Sequence, residues 1–225
     1  MGTMDVATNL EQIQQKIRQA CLNTSRNPED ITIIGVTKYV TIERTREAIE
    51  AGVTNLGENR LEGFQQKYDS FQDKAIWHFI GTLQSRKVKD VIQQIDVLHS
   101  LDRISLAKEI NKRAERKIDC FVQVNVSGES SKHGLAPDEV ANFIKEIEKY
   151  PHVRVIGLMT MAPHIKDEDR LRSIFKQLKK LQLHIQDKQH AHAPCMYLSM
   201  GMSNDYQLAI EEGATHVRIG TNLVG

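Results

Sequence analysis

The sequence contains few cysteines, and their spacing argues against two common cysteine functions. Cys21, Cys120 and Cys195 are the only three, and none belongs to a C-x-x-C pair. An odd and widely spaced set does not indicate a disulfide framework or a zinc site, so we expect reduced thiols packed in the interior. Reduced thiols are typical of cytoplasmic proteins, and we predict that location.

The chain also lacks a charge excess and a long apolar run. Its 30 Lys and Arg residues face 29 Asp and Glu residues, a formal net charge of +1. Composition therefore provides no electrostatic case for a nucleic-acid partner or an anionic membrane. No apolar stretch approaches the length of a transmembrane helix. The first residues lack the basic-then-apolar pattern of a secretion signal, which agrees with the cytoplasmic prediction.

The most informative segment is a β-branched apolar run that ends near a lysine. Residues 31–36 read Ile-Thr-Ile-Ile-Gly-Val, which is too short for a helix and predicts a strand buried on both faces. Lys38 follows at the carboxyl end, where parallel α/β proteins build their sites. A partly desolvated lysine at this position is a usable amine nucleophile. The alternative is a strand-end charge that simply reaches solvent.

Predicted strands and helices alternate along the rest of the 225 residues. An amphipathic helix over 6–23 precedes about eight strands and about eight helices, including helices over 85–94 and 167–186. The alternation predicts an α/β fold, a (β/α)8 TIM barrel with an extra N-terminal helix, as a single domain over residues 1–225. A doubly wound open sheet is the alternative, because alternation alone does not establish closure.

Most predicted strand ends carry polar residues or glycine, as the rim of a barrel site requires. Residues 199–203 (Ser-Met-Gly-Met-Ser) and the pair Gly220-Thr221 end the seventh and eighth strands. Barrels commonly hold phosphate in the loops after these two strands. A phosphate opposite Lys38 would suit a phosphorylated aldehyde cofactor held as a Schiff base. Taken alone, the two segments also fit a helix cap and a tight turn.

Other chemistry-bearing residues have plainer interpretations. Arg218 precedes the end of an apolar strand, so it needs an acceptor or an anion. The glycine-flanked segment 128–134 lacks the residue order of a phosphate loop and could equally form a lid. His190 and His192 have no acidic or cysteine partner at ligand spacing, which favours a solvated loop over a metal site. We predict no metal. His78 and His99 lie within predicted strands and are interpreted as hydrogen-bonded core histidines.

Several motifs together resemble a known family along essentially the whole chain. The chain is similar to the YggS-like pyridoxal phosphate homeostasis proteins, which are related to the barrel domain of alanine racemase. The motifs that carry this resemblance are Val36-Thr37-Lys38, 56–60 (LGENR), 77–85 (WHFIGTLQS), 100–103 (SLDR), 131–134 (SKHG), 157–161 (GLMTM), 198–203 (LSMGMS) and 217–221 (VRIGT). Thr82 and Arg86 depart from the residues that members often carry there.

The resemblance implies a barrel of the alanine racemase N-terminal domain type that binds pyridoxal 5'-phosphate (PLP). It implies Lys38 as the Schiff-base lysine and Arg218 opposite the pyridine nitrogen. Asn59 and Met200 would line the ring of the cofactor. The residues implied to hold its phosphate are Ser199, Gly201, Ser203, Gly220 and Thr221.

Two functions remain open at this level. The first is intracellular PLP homeostasis, in which the protein buffers PLP or delivers it to PLP-dependent apoenzymes without turnover. The second is a PLP-dependent amino-acid racemase of the same fold. One barrel uses the whole sequence and leaves no second domain to supply an opposite-face base, so we predict a non-catalytic carrier. Weak racemase-like side activity is compatible with this prediction, and we expect a monomer.

Overall fold

The apolar run near the N-terminus forms the first strand of a closed parallel barrel. The computed structural model describes residues 5–225, in which eight strands pair in sequence order and the last returns to the first. The pairs that close the barrel include Ile34 with Arg218 and Gly35 with Ile219. Closure excludes the open doubly wound sheet and confirms the predicted (β/α)8 barrel.

The strands are four to seven residues long, as is usual for a barrel of this kind. They are β1 (Thr32–Val36), β2 (Asn55–Glu58), β3 (Ile76–Phe79), β4 (Val97–Leu101), β5 (Ile118–Gln123), β6 (Val153–Met159), β7 (Tyr197–Met202) and β8 (His216–Ile219). Because all eight are parallel, their carboxyl ends meet at one mouth, which is where the predicted site residues fall.

The helices within residues 5–225 connect and cover the strands. They are α1 (Val6–Leu22), α2 (Ile42–Glu50), α3 (Leu61–Phe71), α4 (Val88–Val91), α5 (Ile104–Arg113), α6 (Val140–Ile147), α7 (Glu168–Gln186), α8 (Tyr206–Glu211) and α9 (Thr221–Val224). The extra N-terminal helix is α1, which packs against α8 and α9. None of these helices is long and apolar enough to cross a membrane.

Local sequence signals account for several helix starts. The hydroxyl of Thr41 accepts a hydrogen bond from the Arg44 amide at the start of α2, and the carboxylate of Asp167 accepts one from Arg170 at the start of α7. Each satisfies an amide that the first turn leaves free. Sequence signals therefore place these two boundaries to within about one residue.

The predicted helix over 85–94 is shorter and less regular in the structure. A 3₁₀ turn, Ser85–Lys87, precedes α4, which is a single α-helical turn. Val88 and Val91 are buried, and buried Ile92 follows directly. These three β-branched side chains lie within five residues, and each loses rotamer freedom in a helix. A single helical turn is enough to bury them.

The apolar core lies mostly between the barrel and its helices, with a smaller cluster inside the barrel. The inner cluster consists of Val97, Phe121, Ile156 and Met159. All three cysteines are free and buried, as predicted. The rest of the barrel interior is unusually polar, and its buried side chains belong to the site described below.

Gly157 tests the packing of the barrel wall. A Cβ at this position would lie against the backbone carbonyl of Tyr197, with its carbon at 2.6 Å, and 2.8 Å from the Phe121 ring. Because backbone cannot yield as a flexible side chain does, we expect Gly157→Ala to lower the free energy of unfolding by about 2 kcal/mol or more. Urea denaturation measures this. Ser105→Ala, at an exposed position of α5, is the control, and an equal small effect of both changes would contradict the packing account.

Candidate functional site

A cavity of about 410 Å³ opens at the mouth of the barrel. Within residues 5–225, Lys38 and Arg218 are the charged side chains that line it, and no carboxylate lines it. The cavity therefore favours an anionic ligand. The structure brings six of the predicted site residues to its wall: Lys38, Asn59, Ser203, Arg218, Gly220 and Thr221.

Three predicted site residues lie elsewhere. Ser199 is fully buried inside the barrel, while Met200 is fully buried in the core outside the barrel wall. Successive residues of a strand face opposite sides of the sheet, so Ser199 and Met200 cannot both point into the barrel interior. Gly201 has φ +95°, and a Cβ there would lie 2.7 Å from Ala209. Its glycine is needed because the chain passes close to α8 in a left-handed conformation.

Lys38 stands exposed at the cavity rim. Its Nζ lies 5.7 Å from the centre of the Tyr39 ring and forms no ion pair with another residue in the described part of the chain. The expectation of a partly desolvated lysine is therefore wrong, because the strand ends before this residue and the side chain reaches water. A free, accessible amine remains available to a ligand aldehyde.

A buried ion pair supports the backbone beneath Lys38. The ammonium of Lys67 donates to Glu58 Oε1 at 2.6 Å and to the backbone carbonyl of Thr37, and the Thr37 hydroxyl donates to the same carboxylate at 2.6 Å. Sequence reasoning missed this cluster. Its signal was present, since Lys67 occupies the buried stripe of α3 between Phe64 and Phe71.

The guanidinium of Arg218 is buried at the floor of the cavity. Its Nη1 donates to Ser199 Oγ and its Nη2 to the carbonyl of Thr160 at 3.1 Å. Burial lowers the pKa of Arg218 to about 10, and the nearby Asp205 carboxylate opposes the shift. We predicted that this arginine needs acceptors, and this is confirmed. Two of its N–H groups donate to neutral oxygens, those of Ser199 and Thr160.

Asp205 shapes the turn after β7 and was not singled out in the sequence. Its carboxylate accepts a hydrogen bond from the Met202 amide at 2.6 Å. Burial raises the pKa of this carboxyl, while that hydrogen bond and the charge of Arg218 lower it. The available signal was an aspartate directly before α8, a position that favours capping residues.

The turns after β7 and β8 meet through Ser203. The Gly220 amide donates to its hydroxyl at 3.3 Å, and the Asn222 side chain donates to its carbonyl at 2.8 Å. In the described residues, the amides of Ser203 and Asn204 have no acceptor. Free amides beside a hydroxyl at the end of a barrel strand are suited to bind phosphate oxygens.

The two histidines predicted to be core residues are hydrogen-bonded, as expected. His78 Nδ1 lies 2.8 Å from His99 Nε2, and His99 Nδ1 lies 2.9 Å from Ser199 Oγ. Burial lowers the pKa of His78 to about 3, helped by His216, and lowers the pKa of His99 well below its usual value. Burial, with the charge of Arg218, lowers the pKa of His216 to about 4.

The other predicted candidates lie around the rim or away from it. In the segment 128–134, Lys132 pairs with Glu129 at 2.7 Å and donates to the carbonyl of Met161, a residue that lines the cavity. The imidazole of His192 bonds the carbonyl of Ile144. Within residues 5–225, no three His, Cys, Asp or Glu side chains are placed so that they could hold a metal ion. Of the two departures from the family pattern, Thr82 lines the cavity and Arg86 is exposed.

Comparison with known proteins agrees with this geometry. Residues 8–225 match the family model described as alanine racemase, N-terminal domain. An alanine racemase structure from Clostridium difficile superposes with a TM-score of 0.77 over 98% of this chain and 56% of that chain. At 17% identity, that likeness concerns the fold alone. Fold and cavity thus define a barrel of the alanine racemase N-terminal domain class.

Relatives of higher sequence identity show which family within this class the chain belongs to. The pyridoxal phosphate homeostasis protein of Aquifex aeolicus is 38% identical, over 99% of this chain and 98% of its own. PipY of Synechococcus elongatus, whose structure was solved with PLP bound, is 28% identical with a TM-score of 0.84, over 98% of this chain and all of that one. The chain belongs to the family of pyridoxal phosphate homeostasis proteins.

The buried histidines predict an acid-sensitive fold. In the unfolded chain each imidazole binds a proton below about pH 6.5, whereas His78 and His216 stay neutral in the fold down to about 3 and about 4. The unfolded state therefore binds more protons below pH 6.5, so the stability present above that pH is lost as the pH falls towards 4. Urea denaturation between pH 8 and 4 measures the slope.

Removing one of these histidines should reduce that slope. We expect His216→Gln to make the free energy of unfolding less dependent on pH below 6.5, because one proton fewer distinguishes the two states. His133→Gln, at an exposed position, is the matched control and should keep the wild-type slope. Equal slopes in all three proteins would contradict the linkage.

Proposed function

We propose that this protein binds PLP as a Schiff base on Lys38 and buffers it or delivers it to PLP-dependent apoenzymes. The observation that carries the proposal is the single cavity that joins Lys38, Arg218 and the two adjoining turns that contain Ser203 and Gly220-Thr221. PLP supplies an aldehyde that an amine can bind and a phosphate that these turns can hold. The family assignment supports the same reading.

The charges and donors of the cavity fit PLP. The phosphate would bind at the free amides and hydroxyl around Ser203, with Thr221 beside them. Arg218 would face the ring nitrogen, since a guanidinium donates hydrogen bonds and never accepts them. Asn59 lies on the wall next to Lys38, where it would contact the ring.

The cavity favours holding PLP over turning over an amino acid. Racemisation requires one group to remove a proton and another to return it on the opposite face. Among the described residues that line the cavity, Lys38 is the amine, and none is Asp, Glu, His, Tyr or Cys. We therefore propose a non-catalytic role, and a PLP-dependent racemase of the same fold remains the second candidate.

Accessibility supports release of the cofactor as part of this role. Lys38 is exposed at the rim, so an incoming amine or an apoenzyme reaches the linkage without opening the barrel. The proposal places the protein in the cytoplasm, where its three free thiols stay reduced. In this proposal residues 1–225 form one domain, and the protein acts as a monomer. Residues 1–4 of that domain lie outside the described residues.

The covalent link is tested by absorbance and peptide mapping. Protein mixed with PLP should develop a yellow Schiff-base band, and borohydride reduction should leave the adduct on the peptide that contains Lys38. Lys38→Ala should lose both signals, because the amine that forms the link is gone. Lys89→Ala, on the exposed side of α4, should keep them. An adduct scattered over surface lysines in the wild-type protein would reject the site.

Carrier and racemase are separated by comparing transfer with turnover. PLP-loaded protein should reactivate a PLP-dependent apoenzyme, whereas L-alanine incubated with the loaded protein should stay L-alanine by chiral chromatography. Transfer should vanish in Lys38→Ala, because that variant holds no cofactor to release. Multiple-turnover racemisation that disappears in Lys38→Ala would instead establish the second candidate.

A further inference from the structure

A continuous hydrogen-bonded chain crosses the barrel interior from the cavity floor. It begins at Arg218, whose Nη1 contacts Ser199 Oγ, and continues through His99 and His78 at 2.9 and 2.8 Å. It ends at Asn55, whose Oδ1 lies 2.8 Å from His78 Nε2. Five strands contribute to it, and none of its inner members lines the cavity.

The two ends of the chain set the direction of its hydrogen bonds, given the orientation that the Asn55 amide has in the structure. A guanidinium has no acceptor, so Ser199 must accept from Arg218 and use its own proton elsewhere. At the other end, the side-chain amide of Asn55 is oriented with its nitrogen towards the Thr54 hydroxyl, at 3.2 Å, and with its oxygen towards His78. That oxygen can only accept, so His78 carries its proton on Nε2.

The intermediate donors follow from these ends. With Nε2 of His78 protonated, its Nδ1 accepts from His99 Nε2, and His99 Nδ1 accepts the hydroxyl proton of Ser199. Both histidines are then neutral in the same tautomer. Burial opposes a charge on either ring, and a proton on His99 would also put a second cation near Arg218, which agrees with their lowered pKa values.

Ser199 therefore has neither the exposure nor a free proton for a phosphate. Its hydroxyl proton goes to His99, its lone pair receives Arg218, and its accessible surface is zero. The phosphate contact that the family resemblance implies for Ser199 does not fit this geometry. Ser203, by contrast, lines the cavity.

We propose that Ser199, His99 and His78 are positioning residues, which hold the Arg218 guanidinium in one orientation towards the cofactor ring. Ser199 supplies the acceptor, and the two histidines keep its hydroxyl turned away from the arginine. Thr160 holds the other end of the guanidinium through its carbonyl. This inference rests on the proposed binding of PLP for its effect on the ligand, while the polarity of the chain is a property of the protein alone.

Two ligands that differ only in the phosphate distinguish the two roles considered for Ser199, positioning of Arg218 and binding of phosphate. PLP and pyridoxal share the ring and the aldehyde, and their affinities are read from the Schiff-base absorbance. We expect Ser199→Ala to weaken both by a similar factor, roughly tenfold, because a hydrogen bond to a charged group is lost. The absorption maximum of the bound ligand should shift, since the donor at its ring is no longer held.

Two further variants make the comparison specific. Ser203→Ala should weaken PLP much more than pyridoxal, because its hydroxyl lies on the phosphate side of the cavity. His99→Phe retains a ring to stack on Phe121, which now lies 4.5 Å from the imidazole, and removes both ring nitrogens. It should reproduce the Ser199→Ala pattern from a position that does not line the cavity.

The polarity of the chain is tested without any cofactor. Long-range ¹H–¹⁵N spectra of the histidine-labelled protein should show His78 and His99 as neutral Nε2–H tautomers. Detection of an Nδ1–H or a charged ring at either residue would overturn the proposal. So would a Ser199→Ala effect confined to PLP, or a loss of thermal stability with unchanged affinities and absorption maximum. If the wild-type protein binds neither ligand, the proposed function fails, and the tautomers still decide the polarity.

Discussion

Closure of the barrel through the β1–β8 ladder is the constraint on which the site depends. Lys38 and Arg218 are 180 positions apart, yet Ile34 and Arg218 are paired across that ladder and Lys38 follows β1 at the mouth. A parallel sheet brings all carboxyl ends to one edge, and closure turns that edge into a ring. One wall of the cavity then carries the amine, and its floor carries the guanidinium.

A polar interior beneath that ring distinguishes this barrel from one filled by branched apolar side chains. Buried polar groups cost stability unless they are hydrogen-bonded, and here the histidines, Ser199 and Arg218 satisfy one another. The pair of Lys67 and Glu58 does the same beneath Lys38. Two buried networks therefore lie beneath the cavity, one under the Lys38 amine and one under the Arg218 guanidinium.

Much of the site could be predicted because strand ends are readable in sequence. Lys38, Ser203 and Gly220 follow apolar runs, and the topology rule for parallel barrels places such residues at one mouth. The rule fails inside the strand, where Ser199 and Met200 are neighbours in sequence but face opposite sides of the sheet. Lys67 was missed because its partner, Glu58, is recognisable only once α3 lies on the barrel. Asp205 was missed although its partner, the Met202 amide, is only three residues away.

The sequence by itself determined the fold class, the family and the chemistry on offer, because periodicity, strand-end residues and motifs are local properties of the chain. Tertiary structure alone decided which of those residues meet. Lys38, which had been expected to be partly desolvated, is exposed, and Ser199 is buried in the barrel interior, where it accepts a hydrogen bond from Arg218. The physical reason is that register and closure, which long-range strand pairing sets, determine the side of the sheet that each residue faces.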